Sequence, residues 1–532
     1  MNKGFSLIWQ NICFAAASGK SRSQQPHPHA AWTPAPARYN IAESRAVPGF
    51  PPDAQVALAM TRKRHLRPAI ILLSLLVAIF ALSVPASAEW KEKVLYSFQG
   101  IPDGSLPGGG VVFDKAGNLY GVTAEGGSGT CAPAQCGIVY QLSPPEQKGG
   151  AWTETVLYVF KGQKYGDGSS PAGTLLIDSS GNLYGGTGYG GTGPCMLLGG
   201  TVGCGTVYEL SPPKEKGGAW TEKVLYSFKG GKDGQLAGET LTFDANGNIF
   251  GATTYGGGHG SCNAPYYQHC GTVYELSPPK TKGGKWTEKV LYSFKGVKDG
   301  QQSGDGANPN GGLVLDGKGA IYGTTYFGGN NQKGQCEGGV GGTGCGVVFK
   351  INPPGQEGGK WTEILLHGFN GQDGSNSDAG VVIDGSGNLY GTTFGGPGPN
   401  GLVFELAKPS KAGEVWTETV LHAFTGGNDG ANPAGELAFD SHGDLYGTAS
   451  VDGGGAEYGT VFRLNQAARQ NGTWTVSVLY AFPGAPNGRI PTANLIFDKH
   501  GNLYTATTEG GTGACGSFGC GTVAEIFAVG PN

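Results

Sequence analysis

"FDKAGNLYG" occupies Phe113–Gly121, and near copies follow as "IDSSGNLYG" from Ile177, "FDANGNIFG" from Phe243 and "IDGSGNLYG" from Ile383. In Asp114-Lys115-Ala116-Gly117-Asn118 the aspartate can accept hydrogen bonds from amides two or more residues on. Gly117 can take the left-handed conformation that most residues avoid. That combination predicts a tight hairpin turn with a glycine bulge. The aspartate recurs as Asp178, Asp244, Asp316, Asp384, Asp440 and Asp498, each with glycine three residues later. Identical residues at every copy suit a repeated turn, whereas an active site needs asymmetric roles. The seven aspartates are therefore read as structural.

Around each turn lies a longer unit. Tryptophans at Trp90, Trp152, Trp220, Trp286, Trp361, Trp416 and Trp474 each open a variant of "WTEKVLYSF", 55 to 75 residues apart. Four short segments per unit have strand character. In the third unit these are Trp220–Phe228, with apolar and polar residues alternating at period two, then Thr240–Asp244, Asn248–Thr254 and Thr272–Leu276. No stretch between them has a helical pattern, so the class is all-β. Glycine at 100 and proline at 32 make about a quarter of the 532 residues, which without a period would signal disorder. Here the period is plain, and repeats of this kind predict a ring or an array. Seven four-stranded units suggest a seven-bladed β-propeller. The last unit stops after "GTVAEIF" (Gly521–Phe527) without a tryptophan strand, while residues 90–98 open with an unpartnered one. The expectation is a ring closed by pairing the first strand with the last blade, with Tyr96 beside Val523. An open solenoid is the alternative.

Residues 60–88 carry Arg62, Lys63, Arg64 and Arg67, an apolar run from Ala69 to Val84 and the small-residue site Ala86-Ser87-Ala88, the three parts of a secretory signal peptide. Residues 1–59 are read as a mispredicted or disordered extension upstream of the true start, and residues 89–532 as the propeller. Removing the leader's nine basic and two acidic residues from 36 and 40 leaves 27 against 38, a net charge of −11. That balance argues against nucleic acid as a partner. Glu89 rather than cysteine follows the cleavage site, and no apolar tail closes the chain. The expected protein is secreted, periplasmic or extracellular, monomeric and free of the membrane.

Ten cysteines of residues 89–532 fall as Cys131/Cys136, Cys195/Cys204, Cys262/Cys270, Cys336/Cys345 and Cys515/Cys520, in units 1, 2, 3, 4 and 7. Units 5 and 6 lack both members. All-or-none occurrence in an exported chain reads as five local disulfides. Zinc held by His259, Cys262, His269 and Cys270 is the alternative in the third loop, but its spacing is not that of structural zinc sites. No metal and no cofactor is expected.

The units "WTEKVLYSFKGGKDG", "LTFDANGNIFGATT" and "GTVYELSPP" closely resemble the GloVer-type tandem repeats of bacterial exported proteins, a choice-of-anchor tandem-repeat family, over nearly everything after Trp90. More distantly, the D-x-x-G-N-L-Y hairpin resembles those of NHL-type and gluconolactonase-like propellers. The first resemblance implies an exported repeat protein and supplies no catalytic residue. Members often end in an anchoring tail, which is not visible here.

Function is sought where the copies differ. The disulfide loops and the Asp-Gly loops (Asp103, Asp167, Asp233, Asp299, Asp373 and Asp429, with Asn487 in the last) are expected on one face. The Asp-Gly pairs are read as turns, with calcium or ligand binding as the alternative. The residue before the "GG" after the third strand is Glu125, Tyr189, Tyr255, Phe327, Phe394, Asp452 and Glu509 in turn. In a closed ring the three acids form one arc and the four aromatics another, with Tyr266 and Tyr267 nearby. Aromatic faces stack on sugar rings, and carboxylates accept hydroxyl hydrogen bonds or act as acid and base. The expectation is a binding role toward carbohydrate or another extracellular polymer. Two alternatives stand beside it. One is a glycoside hydrolase, lyase or lactonase using Glu125, Asp452 and Glu509; the other is a structural or protein-binding scaffold with the aromatics as packing.

Overall fold

A computed structural model of the chain describes residues 89–530 apart from 130, 132–135, 148, 198–199, 239, 261, 263–268, 298–302, 331–335, 337–343, 357, 412, 452–457 and 467–473. The extension 1–59 and the signal segment 60–88 lie outside the described residues. No α-helix occurs among the described residues, and seven antiparallel sheets form a seven-bladed β-propeller. In blade 3 the strands run outward as Thr242–Phe243, Ile249–Thr253, Thr272–Ser277 and Thr287–Ser293. Blade 7 takes its inner strands from Ile496–Phe497, Leu503–Thr507 and Thr522–Val529, and its outermost from Glu89–Ser97 at the other end of the chain. Tyr96 pairs with Val523, as the repeat count requires. Covering the last strand edge this way leaves the ring no gap.

Each hairpin has the chemistry its sequence predicts. Asp114 Oδ1 accepts the amides of Ala116 and Asn118 at 2.8 and 2.9 Å, and its Oδ2 accepts the Asn118 side-chain amide and the Tyr120 hydroxyl. Gly117 stands at φ +88°. Bonding to its own turn explains why one carboxylate recurs in every blade without any ligand.

The outer strand departs from strict alternation. A bulge between Val224 and Tyr226 leaves Leu225 as an extra residue, buried like Phe228 two residues after Tyr226. Both are thereby aimed at the neighbouring blade. Apolar cores lie between blades: Tyr120, Val122, Val139 and Phe160 of one side meet Leu175, Leu183, Tyr208 and Leu210 of the next. Phe98, Phe160 and Phe228 each stand edge-on to Tyr140, Tyr208 and Tyr274 with centroids 5.0 Å apart, pairs worth about 0.5–1.5 kcal/mol beyond their burial.

Candidate functional site: the axial cavity and its mouth

Eight residues before each hairpin aspartate stands a residue at positive φ: Leu106, Ser170, Leu236, Asn308, Asn376, Asn432 and Ile490, between 54° and 62°. Such a conformation costs a leucine or isoleucine on the order of 1–3 kcal/mol and persists where the surroundings over-determine it. Here the amide and the carbonyl are both pinned. The Leu106, Ser170, Leu236 and Asn376 amides donate to the carbonyls of Cys520, Cys136, Cys204 and Cys345 in the preceding blade, and Ala124 donates back to Leu106. The Asn308 and Asn376 side-chain amides add bonds to the Thr254 and Tyr326 carbonyls at 3.0 Å. These latches tie blade to blade. They also deliver Leu106, Leu236 and Ile490 to the wall of a cavity on the ring axis, about 250 Å³ in volume, to which all seven blades contribute.

The inner strands close the cavity with polar side chains. Glu436 reaches the amides of Gly312 and Gly380 and accepts the Asn494 side-chain amide at 3.0 Å. A Cβ on either glycine would collide with the Glu436 carboxylate, so both positions must stay bare. Asn494 accepts the Glu436 amide at 2.8 Å, and Thr174 accepts that of Gly110 at 3.1 Å. Asp378 is different: the bond it accepts comes from the Asn310 side-chain amide at 3.1 Å, and the Asn310 Oδ1 is itself buried without a partner. Burial pushes Asp378 and Glu436 above the usual carboxylate range, the Asn310 bond opposing this for Asp378. Of these two acids, one is saturated and the other has acceptor capacity to spare.

The residues singled out by sequence divide. Tyr189, Phe394 and Glu509 line the cavity. Phe394, however, is out of register with the others. Ser105, Ser169 and Gln235 pair with Glu125, Tyr189 and Tyr255, but Ser375 pairs with Gly395 and Ala431 with Val451. The "GG" motif is shifted in units 5 and 6, so counting back from it misplaces Phe394 by one residue. Asp452 lies outside the described residues, as do Tyr266 and Tyr267; the true counterpart in blade 6 is Val451. Two acids therefore remain in that ring. Tyr255 is buried, and Phe327 packs in the core between blades 3 and 4, edge-on to Tyr326 at 4.8 Å. Glu509 pairs with Arg489 at 3.1 Å, and that guanidinium lies over the rings of Tyr458 and Phe518 at 5.0 and 4.6 Å. Glu125 is absent from the cavity lining; burial pushes its carboxyl up to about 7, and its Oε1 has no partner. Asp378, Glu436, Asn310 and Asn494 escaped the sequence reading. Their signal was present: other units place glycine, alanine or threonine at the same distances before the hairpin aspartate.

The Asp-Gly loops join consecutive blades on the mouth face, and they are turns. Asp103 accepts the Tyr96 hydroxyl at 3.0 Å and the Gln99 amide at 2.9 Å, and Asp167 accepts the Tyr158 hydroxyl and Lys161 amide at 2.8 Å. In the fourth such loop Asp299 lies outside the described residues, and Asp305 does this work with Tyr292 and Lys295.

All five expected disulfides form: Cys131–Cys136, Cys195–Cys204, Cys262–Cys270, Cys336–Cys345 and Cys515–Cys520. They seat the loops, since a Cβ on Gly230 would meet Cys195 Sγ at 2.9 Å and one on Gly100 would meet Cys515 Sγ at 3.0 Å. The cysteines lie in these loops, and they also reach the core. The second member of each pair, Cys136, Cys204, Cys270, Cys345 or Cys520, is at most 1% exposed. Each directly precedes the glycine that opens the third strand, and this carries it into the core between blades. Cys345 packs there with Tyr322, Val348, Phe369 and Leu402, and Cys336 lies partly buried against the same cluster. These sulfurs are packing and staple together, and none of them lines the cavity. Cys262 and Cys270 bond each other, which removes the zinc alternative's two thiolates. Five disulfides mark a chain folded outside a reducing cytosol. No helix among the described residues is long and apolar enough to cross a membrane.

The family described as the Gloeobacter/Verrucomicrobia repeat matches residues 78–337 and 335–527. The chain belongs to that family. As a Gloeobacter/Verrucomicrobia repeat protein it carries two consecutive matches that together span all seven blades. A search of curated proteins finds no match. Among solved structures, it is similar to an oxidoreductase described as a glucose dehydrogenase from Thermus thermophilus (14% identity, TM-score 0.35, 82% of this chain and all of the other). It is also similar to a gluconolactonase from Xanthomonas campestris (12%, 0.31, 68% and 99%). A third likeness is to PorZ, a surface component of the type-IX secretion system of Porphyromonas gingivalis (14%, 0.36, 73% of this chain and 47% of that one). At such identities and scores these likenesses give no residue a role and this repeat protein no activity.

Proposed function

We propose that this is an exported propeller whose axial cavity binds a hydroxyl-rich ligand, the end of a sugar chain. One observation carries the reading: a cavity of about 250 Å³ has Tyr189 and Phe394 among its lining residues and, with them, an Asp378 carboxylate and an Asn310 carbonyl oxygen whose acceptor capacity is unfilled. Rings offer stacking surface, and unfilled acceptors suit hydroxyl donors. A buried carboxylate that already receives a neutral amide gains most from further donors of the same kind. Hydrolysis is the weaker reading, because of the acids singled out in the sequence Glu125 is not among the cavity residues and Glu509 is paired with Arg489.

Glycan-array binding of the full chain tests this. Wild-type protein is expected to retain neutral oligosaccharides, with Asp378→Asn and Tyr189→Ala each weakening retention about tenfold, roughly the loss of one charge-assisted bond or one stacking face. Absence of any retained glycan, or variants that bind like the wild type, would overturn the proposal. Release of reducing ends during the assay would replace binding with catalysis.

A further inference from the structure

Six residues before each hairpin aspartate, the inner strands carry one position that lines the axial cavity in every blade. It is Gly108, Ala172 and Gly238 in blades 1 to 3, Asn310 and Asp378 in blades 4 and 5, and Ala434 and Thr492 in blades 6 and 7. Asp378 alone among them is an acid, so the fold does not require one there. Glycine or alanine in the first three blades leaves room on their side of the axis. Three acids line the cavity, and no lysine, arginine or histidine does so among the described residues. Glu509 has Arg489 at 3.1 Å. Glu436 is held by N–H donors of Gly312, Gly380 and Asn494. Asp378 has neither a cation nor a set of donors. Its Oδ1 receives one neutral bond, from the Asn310 side-chain amide at 3.1 Å. Its Oδ2 accepts none among the described residues, and the residue is half-buried rather than sealed off. Taking a carboxylate out of bulk water without such compensation is costly. An asparagine at this position would accept the same bond from Asn310 without that cost, so the charge is left to meet a ligand.

We propose that the unit received by the axial cavity is an amino sugar, the end of a glycan bearing a free ammonium group that pairs with Asp378. The inference rests on the reading of the cavity as a glycan site and names the chemistry of the unit. An ammonium brings a positive charge and three N–H donors, where a hydroxyl brings one donor and no charge. Charge-assisted bonds are roughly twice as strong as neutral ones. The rest of the lining suits a sugar better than a simple amine. Thr492 and Thr508 share one bond between their hydroxyls at 2.8 Å, so one hydroxyl hydrogen of the pair remains for a sugar oxygen. Tyr189 and Phe394 add aromatic surface. A volume of about 250 Å³ lies below the roughly 300–1,000 Å³ common for ligand pockets, which suits one unit and not a length of chain. The net charge of −11 on residues 89–532 favours the approach of cationic over anionic sugars.

Titration calorimetry of the full chain with the tetramers of glucosamine, N-acetylglucosamine and glucose tests the proposal. The glucosamine tetramer is expected to bind the wild type about tenfold more tightly than either neutral tetramer at low salt, with the ratio shrinking as salt rises. Asp378→Asn is expected to bring that ratio to about one. Thr492→Val, which removes a hydroxyl and no charge, is expected to weaken all three tetramers alike and to leave the ratio as it was. Thermal melting of each variant distinguishes lost binding from lost fold. Equal binding of the three tetramers by the wild type, or a ratio that survives Asp378→Asn, would overturn the proposal while leaving the cavity a glycan site. Binding of no tetramer would overturn both. Calcium that raises the Tm of the wild type and not of Asp378→Asn, with no preference for the glucosamine tetramer, would overturn the proposal by assigning Asp378 to a metal ion.

Discussion

Five of the seven blade junctions differ from the remaining two in a pair of features that travel together. From the blade 7/1 junction round to 4/5, each loop rests on a blade that carries a disulfide, and each places two acids side by side. These are the loop aspartate and a glutamate from the next outer strand: Asp103 with Glu154, Asp167 with Glu222, Asp233 with Glu288, Asp305 with Glu363 and Asp373 with Glu418. At 5/6 and 6/7 there is no disulfide. The Asn400 amide and the Tyr458 ring take its place beneath Gly426 and Gly484. One acid has also gone from each. Val476 stands where glutamate would be at 5/6, leaving Asp429 with His422 at 3.1 Å; at 6/7 Asn487 replaces the aspartate, and Glu92 accepts Tyr480, Asn487 and the Gly488 amide. With one acid the bonds are all made. With two, the glutamate Oε1 is buried without a partner at all five junctions. The stapled junctions carry an electrostatic load that the unstapled ones have shed.

Reducing the disulfides should have the largest effect. Each closes a loop of roughly 6 to 10 residues, worth about 2–3 kcal/mol in the chain-entropy model, and five are lost at once. Melting under reductant is expected to show a large drop in Tm, and amide exchange should rise first in the loops of junctions 7/1 to 4/5, with 5/6 and 6/7 least altered. Uniform exchange round the ring would break the comparison. The next effect is that of pH. Burial, chiefly, and then the neighbouring aspartate push Glu154, Glu222, Glu288 and Glu363 up to about 7 from an ordinary 4.5, and burial does the same for Glu418. A carboxyl that holds its proton more tightly when folded favours the folded state at low pH, and the advantage is lost as pH climbs from about 4.5 to about 7. After discounting for solvent screening the loss is on the order of 1 kcal/mol per junction. Thermal melts should therefore show the oxidised protein most stable in mild acid and flat above pH 8. Rising stability from pH 5 to 8 would contradict the assignment.

Much of this was legible in the residues. Repeated turns, paired cysteines and an orphan first strand sufficed for seven blades, their closure and all five disulfides, because each is a local pattern copied often enough to be counted. That one cysteine of each pair, such as Cys345, belongs to the core was not legible, since burial depends on the neighbouring blade. The junction acids were visible as letters but not as neighbours. Glu154 and Asp103 are 51 positions apart, and nothing in "WTETVLY" shows that its glutamate faces the previous loop. The seven left-handed residues were beyond reach for another reason: leucine and isoleucine at φ above 50° contradict local propensity, and a bond to the adjoining blade holds them there. Phe394 and Asp452 were misaligned because the "GG" used as a ruler shifts in the two units that have lost their disulfides.

Single substitutions sharpen the contrast at smaller scale. Asn487→Asp restores the second acid at the unstapled 6/7 junction beside Glu92. It should destabilise by about 1–2 kcal/mol at pH 8, the usual cost of leaving a buried group unsatisfied, and by much less at pH 5, where one of the two can hold a proton. Equal loss at both pH values would mean that packing, not charge, keeps asparagine there.

The mirror change, Glu222→Gln, should be smaller and of opposite sign. At the 1/2 junction Tyr158 already gives its hydroxyl to Asp167, and Glu222 Oε1 is left buried without a bond. An amide keeps the shape, removes the like charge and adds two donors beside a carboxylate. At pH 8 the variant is expected to gain about 0.5–1 kcal/mol, the net worth of one ordinary hydrogen bond. At pH 5 it should melt with the wild type, whose glutamate is then protonated and equally able to donate. The gain must therefore appear as pH rises through 7, and a Glu222→Gln protein that loses stability at pH 8 would show that the ionised Glu222 stabilises the junction, its attraction to Lys161 outweighing the like charge of Asp167.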